Sequence, residues 1–258
     1  MTKKQPIILA FANRKGGVAK TTSVASMGAC LAKLGYRTLI MDLDSQGNLS
    51  NGLGFEMSDD RNITSVFRKN YKLEDIIISL EENLHMTCSN DSLADYETEL
   101  NASLGREFKL KKTIAEIHDK YDFILLDCPP SLGIITVNAL VAASRVIVPL
   151  HAQKYSLDGL RKVISIIEEI KDAGANNELA LAGAFFTQYN SRAVLSQEAV
   201  NQVSELIGDD LLMKTNIRQN ISLAESVEIG QHILDYAPTS NGAKDYLNLT
   251  KELVETFN

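Results

Sequence analysis

One stretch near the start of the chain constrains its fold more than any other. The apolar run of residues 7–12 predicts a buried strand, and the apolar spacing in residues 23–34 predicts a helix. Between them, residues 13–22 have the sequence Asn-Arg-Lys-Gly-Gly-Val-Ala-Lys-Thr-Thr. A glycine-rich turn between a strand and a helix presents backbone N–H groups and the positive end of the helix dipole to an anion. The stretch therefore predicts a phosphate-binding loop.

Side chains of this loop suit the chemistry of a bound nucleotide. Lys20 supplies a positive charge beside the phosphates, and the hydroxyl of Thr21 is a suitable ligand for Mg²⁺. The ordinary pattern G-x-x-x-x-G-K-[ST] is matched imperfectly, because Arg14 and Ala19 stand where it has glycine. A simple glycine turn with solvated lysines is the alternative. We expect the nucleotide to contact Lys15, Gly16, Gly17, Val18, Ala19, Lys20, Thr21 and Thr22.

The loop resembles the deviant form K-G-G-x-x-K-[ST], which carries an extra lysine and is typical of the ParA/Soj partitioning ATPases of the MinD/ParA superfamily. The extra lysine is Lys15 in this sequence. The resemblance implies a P-loop ATP hydrolase that forms a homodimer with ATP, in which Lys15 reaches across the interface to the partner's nucleotide. It also implies that Lys15 and Lys20 act in catalysis and that the nucleotide is ATP.

A segment rich in aspartate follows the second predicted strand. Residues 37–42 predict that strand, and residues 42–48 have the sequence Asp-Leu-Asp-Ser-Gln-Gly-Asn. Carboxylates at the carboxyl end of a strand lie where open α/β sheets bind ligands. The segment is similar to the family's D-x-D-P-Q-G-N, with Ser45 in place of proline, and this resemblance implies that Asp44 orients the attacking water. A polar turn without a catalytic function is the alternative.

Another aspartate ends a later strand. Residues 121–127 predict a buried strand that ends at Asp127 and is stopped by two prolines, which is a Walker B pattern. Such an aspartate lies close to Mg²⁺, commonly through a coordinated water. We therefore expect Thr21, Asp44 and Asp127 to form the metal site.

Strands alternate with helices along the rest of the sequence. This alternation predicts an α/β fold with a single-domain, doubly wound, mostly parallel sheet, as in P-loop NTPases. We found no linker or repeat, so we expect one ATPase domain over residues 1–258. Further strands are predicted at 84–88, 145–150, 179–187 and 211–215, and further helices at 156–172, 194–207 and 243–257.

Composition and charge exclude several classes of protein. No apolar run of about 18 residues is present, so we expect no transmembrane helix. The three cysteines have no spacing typical of a disulfide framework or a C-x-x-C metal site. The net charge of -7 argues against a general nucleic-acid coat. We expect a cytoplasmic protein without a signal peptide, and the mixed charge of the last predicted helix argues against membrane binding.

Two later segments extend the family resemblance. Residues 187–192 and 217–226 are similar to segments whose basic residues bind DNA without sequence preference in partitioning members of the family. We expect Arg192, Lys214 and Arg218 to make these contacts, which makes binding steeply salt-dependent. Ordinary surface arginines are the alternative, and nearby acidic residues weaken the argument for a basic patch.

The resemblance implies a DNA-partitioning ATPase for plasmids or chromosomes. Its MgATP-bound dimer would bind non-specific DNA and associate with the nucleoid, and a ParB-like centromere-binding protein would stimulate hydrolysis. We expect slow basal turnover, because a switch that waits for its partner must hydrolyse ATP slowly alone. A related positioning ATPase with a protein cargo remains open. So does a nucleotide-dependent regulator, such as a repressor or a membrane-recruited scaffold.

Overall fold

A seven-stranded sheet forms the centre of the fold. The computed structural model describes residues 5–55, 60–152 and 156–257. The strands are β1 (Ile7–Phe11), β2 (Thr38–Asp42), β3 (Ile78–Glu81), β4 (Leu84–Thr87), β5 (Phe123–Asp127), β6 (Arg145–His151) and β7 (Ala180–Thr187). Their order across the sheet is β3-β4-β2-β5-β1-β6-β7. Neighbouring strands are parallel except β3, which pairs antiparallel with β4 at one edge.

Helices cover both faces of this sheet. They are α1 (Lys20–Lys33), α2 (Asn48–Gly52), α3 (Ile63–Phe67), α4 (Ser92–Leu100), α5 (Lys109–Ala115), α6 (Ile134–Ala142), α7 (Ser156–Asp172), α8 (Val194–Ile207), α9 (Ser222–Glu228), α10 (Ile233–Tyr236) and α11 (Asn241–Glu255). Short 3₁₀ turns lie at Leu73–Ile76 and Arg106–Phe108. None of the helices in the described part of the chain has the length and hydrophobicity needed to span a bilayer.

Side chains of the central strands point alternately into two apolar cores. In β1, Ala10 belongs to one core, and Leu9 and Phe11 belong to the other. Helices α1 and α11 supply the second core, while α3 to α8 supply the first. Because both faces are buried, the central strands are nearly continuous apolar runs, which explains why the sequence revealed them. The predicted α/β, doubly wound, mostly parallel fold is confirmed.

The strand predicted for residues 211–215 is wrong. Within the described residues, an isolated bridge between Ala184 and Leu212 is its one ladder contact with β7. The backbone N–H groups of Lys214 and Thr215 donate to the carboxylate of Glu252 in α11, at 2.6 and 2.9 Å. Because these N–H groups donate to a side chain, they do not donate to a neighbouring strand, and no regular β-ladder continues along this segment.

Several short elements were not predicted, and β3 and α6 show why. The edge strand β3 has four residues and alternates between half-buried and exposed, so it lacks an apolar run. Helix α6 is apolar almost all round, and periodicity does not distinguish such a segment from a buried strand. The predicted domain of residues 1–258 includes 1–4, 56–59, 153–155 and 258, which lie outside the described residues.

Candidate nucleotide-binding site

The carboxyl ends of three adjacent strands bring the predicted site together. In the sheet register, Asp127 of β5 pairs with Phe11 of β1 on one side and with Asp42 of β2 on the other. The glycine-rich loop leaves β1 directly after Phe11, and the turn that contains Asp44 leaves β2 directly after Asp42. The loop and both aspartate segments therefore lie at one edge of the sheet, where open α/β sheets bind ligands.

A buried asparagine fixes the beginning of the loop. The side-chain nitrogen of Asn13 donates to the carbonyl of Pro149 at 2.8 Å, and its oxygen accepts from the N–H of Lys15 at 2.9 Å. Gly159 of α7 packs against this side chain so closely that a Cβ would lie 2.5 Å from its oxygen. Asn13 was not predicted to have a function, although an asparagine side chain commonly accepts from the backbone N–H two residues later in a turn.

The start of α1 is a ready site for an anion. Ala19 is its N-cap residue, adopts the left-handed conformation, and makes no side-chain cap. The backbone N–H groups of Ala19 to Thr22 find no acceptor within the described ranges. Unpaired N–H groups and the helix dipole together favour a phosphate at this position.

Lys20 lies in the first turn of α1 with 8% of its surface exposed. It forms no ion pair with any residue that the structure describes. A largely buried ammonium group without an ion-pair partner is stabilised when an anion binds beside it. Lys15 is half-buried at the start of the loop, so its side chain remains accessible.

Asp42 is a structural acceptor and not a free ligand. Its carboxylate accepts from the N–H and the hydroxyl of Ser50, at 3.0 and 2.7 Å, and from the N–H of Asp44 at 3.1 Å. Burial raises the pKa of Asp42 to about 6, against the lowering effect of these hydrogen bonds. Asp42 therefore holds the aspartate turn in shape. The hydrogen bonds of Ser50 were not predicted, because α2, the helix that carries it, has only five residues and is too short to show a periodic pattern.

Asp127 has the opposite surroundings. It is 1% exposed, and neither carboxylate oxygen has a hydrogen-bond partner in the described part of the chain. Burial, and then the charge of Asp42, raise the pKa of Asp127 to about 8, whereas the neighbouring Thr21 hydroxyl and Lys20 lower it. A divalent cation beside Thr21 and Asp127 would supply the missing positive charge, and oxygen ligands of this kind suit Mg²⁺.

Asp44 lies in the tight turn after β2. One of its carboxylate oxygens accepts from the N–H of Gln46 at 3.0 Å. The turn requires Gly47, which has a φ of +61° and would place a Cβ 2.9 Å from the carbonyl oxygen of Ser89. The turn thus fixes Asp44 at the same edge as Asp127, which is compatible with the expected metal site.

The three basic residues expected to contact DNA have different surroundings. Tyr189 pairs with Arg218 in an isolated parallel bridge, so the loop that carries exposed Arg192 runs beside the segment that carries Arg218. The guanidinium of Arg218 donates to both carboxylate oxygens of Asp245, at 2.9 and 2.7 Å. Lys214 is exposed, and its backbone is held by α11. Asp245 lies 27 residues after Arg218, and no sequence pattern indicated this pair.

The arrangement defines a class of protein. A glycine-rich loop before a helix, a lysine at the helix start and aspartates on adjacent strands are typical of P-loop nucleotide hydrolases. Lys15 and Ala19 place the loop in the deviant form of that class.

Comparisons with known proteins identify the family. Residues 6–181 match the family model described as an AAA domain. The chain is 39% identical over 254 residues to the chromosome-partitioning ATPase Soj of Treponema pallidum, covering 95% of this chain and 96% of that protein. It is 36% identical over 248 residues to the sporulation initiation inhibitor protein Soj of Bacillus subtilis, covering 95% and 97%.

A solved structure supports the same nucleotide chemistry. The chain is similar to the cobyrinic acid a,c-diamide synthase of Mycobacterium smegmatis, solved with a bound ATP analogue and magnesium, at 31% identity and a TM-score of 0.84. The match covers 98% of this chain and 96% of that one. The chain belongs to the Soj/ParA family of partitioning ATPases. It is therefore an ATP hydrolase, and the family resemblance is confirmed.

Proposed function

We propose that this partitioning ATPase uses ATP and Mg²⁺ at the edge formed by β1, β2 and β5. The loop N–H groups and Lys20 bind the phosphates, and Thr21 and Asp127 hold Mg²⁺, which neutralises phosphate charge. The observation that supports this proposal most is the buried Asp127 carboxylate, which lacks a partner in the described ranges. Phosphoryl transfer to water depends mainly on positioning and charge neutralisation, and these groups supply both.

Asp44 orients the attacking water in this proposal. The turn fixes its carboxylate through one oxygen, while the other has no hydrogen bond to a described residue. Lys15 acts from the second copy in a homodimer that forms with ATP. Its partial exposure at the start of the loop is compatible with a role across an interface.

The ATP-bound dimer binds DNA without sequence preference, through Arg192, Lys214 and Arg218. A ParB-like centromere-binding protein stimulates hydrolysis and releases the dimer from DNA. The protein works in the cytoplasm on the nucleoid and has no membrane partner. Similarity to a chromosome-partitioning ATPase over nearly the whole chain supports this proposal.

The test measures binding to a non-specific DNA duplex with ATP, with ADP and without nucleotide, at low and moderate salt. Lys15→Ala removes the proposed interface contact, and Arg192→Ala and Lys214→Ala each remove one proposed DNA contact. Lys251→Ala, an exposed lysine in α11, is a matched control. We expect ATP-dependent binding in wild type and the control, loss of it in Lys15→Ala, and a smaller salt dependence in the other two variants.

Absence of DNA binding in every nucleotide state would contradict the proposal that the dimer binds DNA. The assignment as an ATP hydrolase would not change, but its partner would be a molecule other than DNA. Binding that is equally strong with ADP would contradict the proposed switch.

The second candidate function is that of a nucleotide-dependent regulator, such as a repressor. The relative from Bacillus subtilis is named a sporulation initiation inhibitor protein. Sequence-specific binding to a promoter duplex, in competition with unrelated DNA, would favour this candidate over partitioning.

A further inference from the structure

Two carbonyl groups of the phosphate loop accept hydrogen bonds from side-chain hydroxyls, one from distant Thr187 and one from Ser23 in the first turn of α1. The hydroxyl of Thr187, at the end of β7, lies 3.2 Å from the carbonyl oxygen of Val18 and 3.2 Å from that of Leu150, and the two carbonyls share its one proton. The hydroxyl of Ser23 donates to the carbonyl of Ala19 at 2.6 Å, and the N–H of Ser23 donates to the same oxygen at 2.9 Å. These hydrogen bonds restrain the directions of both loop carbonyls.

The planar peptide bond transmits this direction to the loop's N–H groups. In a trans peptide, the C=O of one residue and the N–H of the next point in opposite directions. The carbonyl of Val18 thus sets the direction of the Ala19 N–H, and the carbonyl of Ala19 sets that of the Lys20 N–H. These two N–H groups belong to the set that finds no acceptor among the residues described.

The conformation that these contacts hold is unfavourable for its residue. Ala19 has φ 60° and ψ 34°, a left-handed conformation that is unfavourable for any residue with a Cβ. The ordinary loop pattern has glycine at this position, where the conformation carries no such penalty. A chain with alanine there needs other contacts to keep the loop in shape, and Ser23 and Thr187 provide them.

Helix α11 takes part through one buried tyrosine. The phenol oxygen of Tyr246 lies 2.9 Å from the hydroxyl of Ser23, and both residues are fully buried. Because Ser23 donates its proton to Ala19, it accepts the proton of Tyr246. Burial raises the pKa of Tyr246, so the phenol stays protonated and remains a donor. A chain of hydrogen bonds therefore runs from α11 through Ser23 to the phosphate loop.

We propose that Tyr246, Ser23 and Thr187 are positioning residues for ATP. Their hydroxyls hold the carbonyls of Val18 and Ala19 and so aim the N–H groups of Ala19 and Lys20 at the phosphates. The inference rests on the nucleotide site of the proposed function and requires neither DNA binding nor a partner protein.

The first test compares Tyr246→Phe with wild type for affinity toward a fluorescent ATP analogue with Mg²⁺, without DNA. Tyr121→Phe is the matched control, because its buried hydroxyl bonds to Nδ1 of His85 at 2.8 Å at the opposite edge of the sheet. Loss of one hydrogen bond in the relay should weaken analogue binding about threefold to tenfold. The control should bind as wild type does, although both variants lose thermal stability.

A double-mutant cycle tests whether Tyr246 and Ser23 act as one chain, and a pair of substitutions tests Thr187 separately. In a Ser23→Ala background, Tyr246→Phe should cause no further loss of nucleotide affinity. Thr187→Val should weaken binding while Thr187→Ser, which keeps the hydroxyl, should restore it. In steady-state hydrolysis, the KM for ATP should rise more than kcat falls.

Equal affinities for wild type and Tyr246→Phe would overturn the inference, as would losses that simply add in the cycle. If Tyr246→Phe does not fold, the Thr187 pair decides, because equal binding by Thr187→Val and Thr187→Ser also overturns it. Failure of the wild-type protein to bind the analogue would instead contradict the proposed function itself.

Discussion

Two charged regions of the molecule differ in how their charges are satisfied. At the edge formed by β1, β2 and β5, Lys20 has no ion-pair partner and Asp127 no hydrogen-bond partner within the described residues. Beside β7, Arg218 is already paired with Asp245. Buried charges without partners at the end of a sheet indicate a ligand-binding site. A complete ion pair, in contrast, is as compatible with a structural role as with a DNA contact. The proposed nucleotide site therefore has stronger structural support than the proposed DNA contacts.

The largest expected effect separates catalysis from binding within the first region. Asp44→Ala should lower ATP turnover about 100-fold or more, because a residue that orients the attacking water contributes on this scale. Affinity for the ATP analogue should stay within about threefold of wild type. Single-turnover hydrolysis together with equilibrium binding measures both quantities. Asp91→Ala, an exposed aspartate before α4, is the control, and equal turnover in both variants would remove Asp44 from the mechanism.

The next prediction tests whether Lys20 binds the phosphates of the nucleotide. Lys20→Gln should weaken binding of the ATP analogue about 10- to 100-fold, because it removes a charge-assisted hydrogen bond to phosphate. Lys33→Gln changes the opposite end of the same helix and should leave affinity unchanged. Equal affinities for the two variants would show that Lys20 is not a phosphate ligand.

A third prediction uses the pH dependence of stability without nucleotide. The pKa of Asp127 is raised to about 8 in the folded protein and is about 3.8 when unfolded, so the folded state holds the proton more tightly. Stability should therefore fall as pH rises from about 4 to about 8, with Asp42 contributing up to about pH 6. Asp127→Asn should flatten this fall and raise the free energy of unfolding at pH 8 by about 2 kcal/mol.

Urea unfolding at several pH values measures this effect. Asp95→Asn, an exposed aspartate in α4, is the control and should keep the wild-type slope. An Asp127→Asn profile parallel to wild type would contradict the conclusion that burial raises the pKa of Asp127 in the folded protein.

The smallest expected effect belongs to the second region. Arg218→Ala should lower the free energy of unfolding by about 1 kcal/mol, because it leaves Asp245 with 9% exposure and no guanidinium. Arg192→Ala, an exposed arginine, should change stability by less than about 0.5 kcal/mol. Thermal unfolding compares the two. If Arg192→Ala reduces DNA binding as much as Arg218→Ala, the pair with Asp245 is compatible with a DNA contact and the contrast between the regions weakens.

The sequence revealed what is periodic or clustered and missed what depends on distant contacts. The central strands and α7 were predicted well because each is one apolar run or one amphipathic pattern. The loop and its aspartates were predicted because they lie in short motifs. The prediction of a strand at 211–215 was wrong because the carboxylate of Glu252 accepts from the backbone N–H groups of Lys214 and Thr215. The pair of Arg218 with Asp245 and the contact of Tyr246 with Ser23 join segments whose spacing carries no signal.

The central claim is that ATP and Mg²⁺ satisfy the charges of Lys20 and Asp127 at the edge formed by β1, β2 and β5. The most direct measurement is thermal unfolding of wild type and Asp127→Asn at pH 8, with ATP and with or without Mg²⁺. The account predicts that Mg²⁺ together with ATP raises the Tm of wild type well above that with ATP alone, and that Asp127→Asn loses most of this increment. An increment of equal size in Asp127→Asn would contradict it.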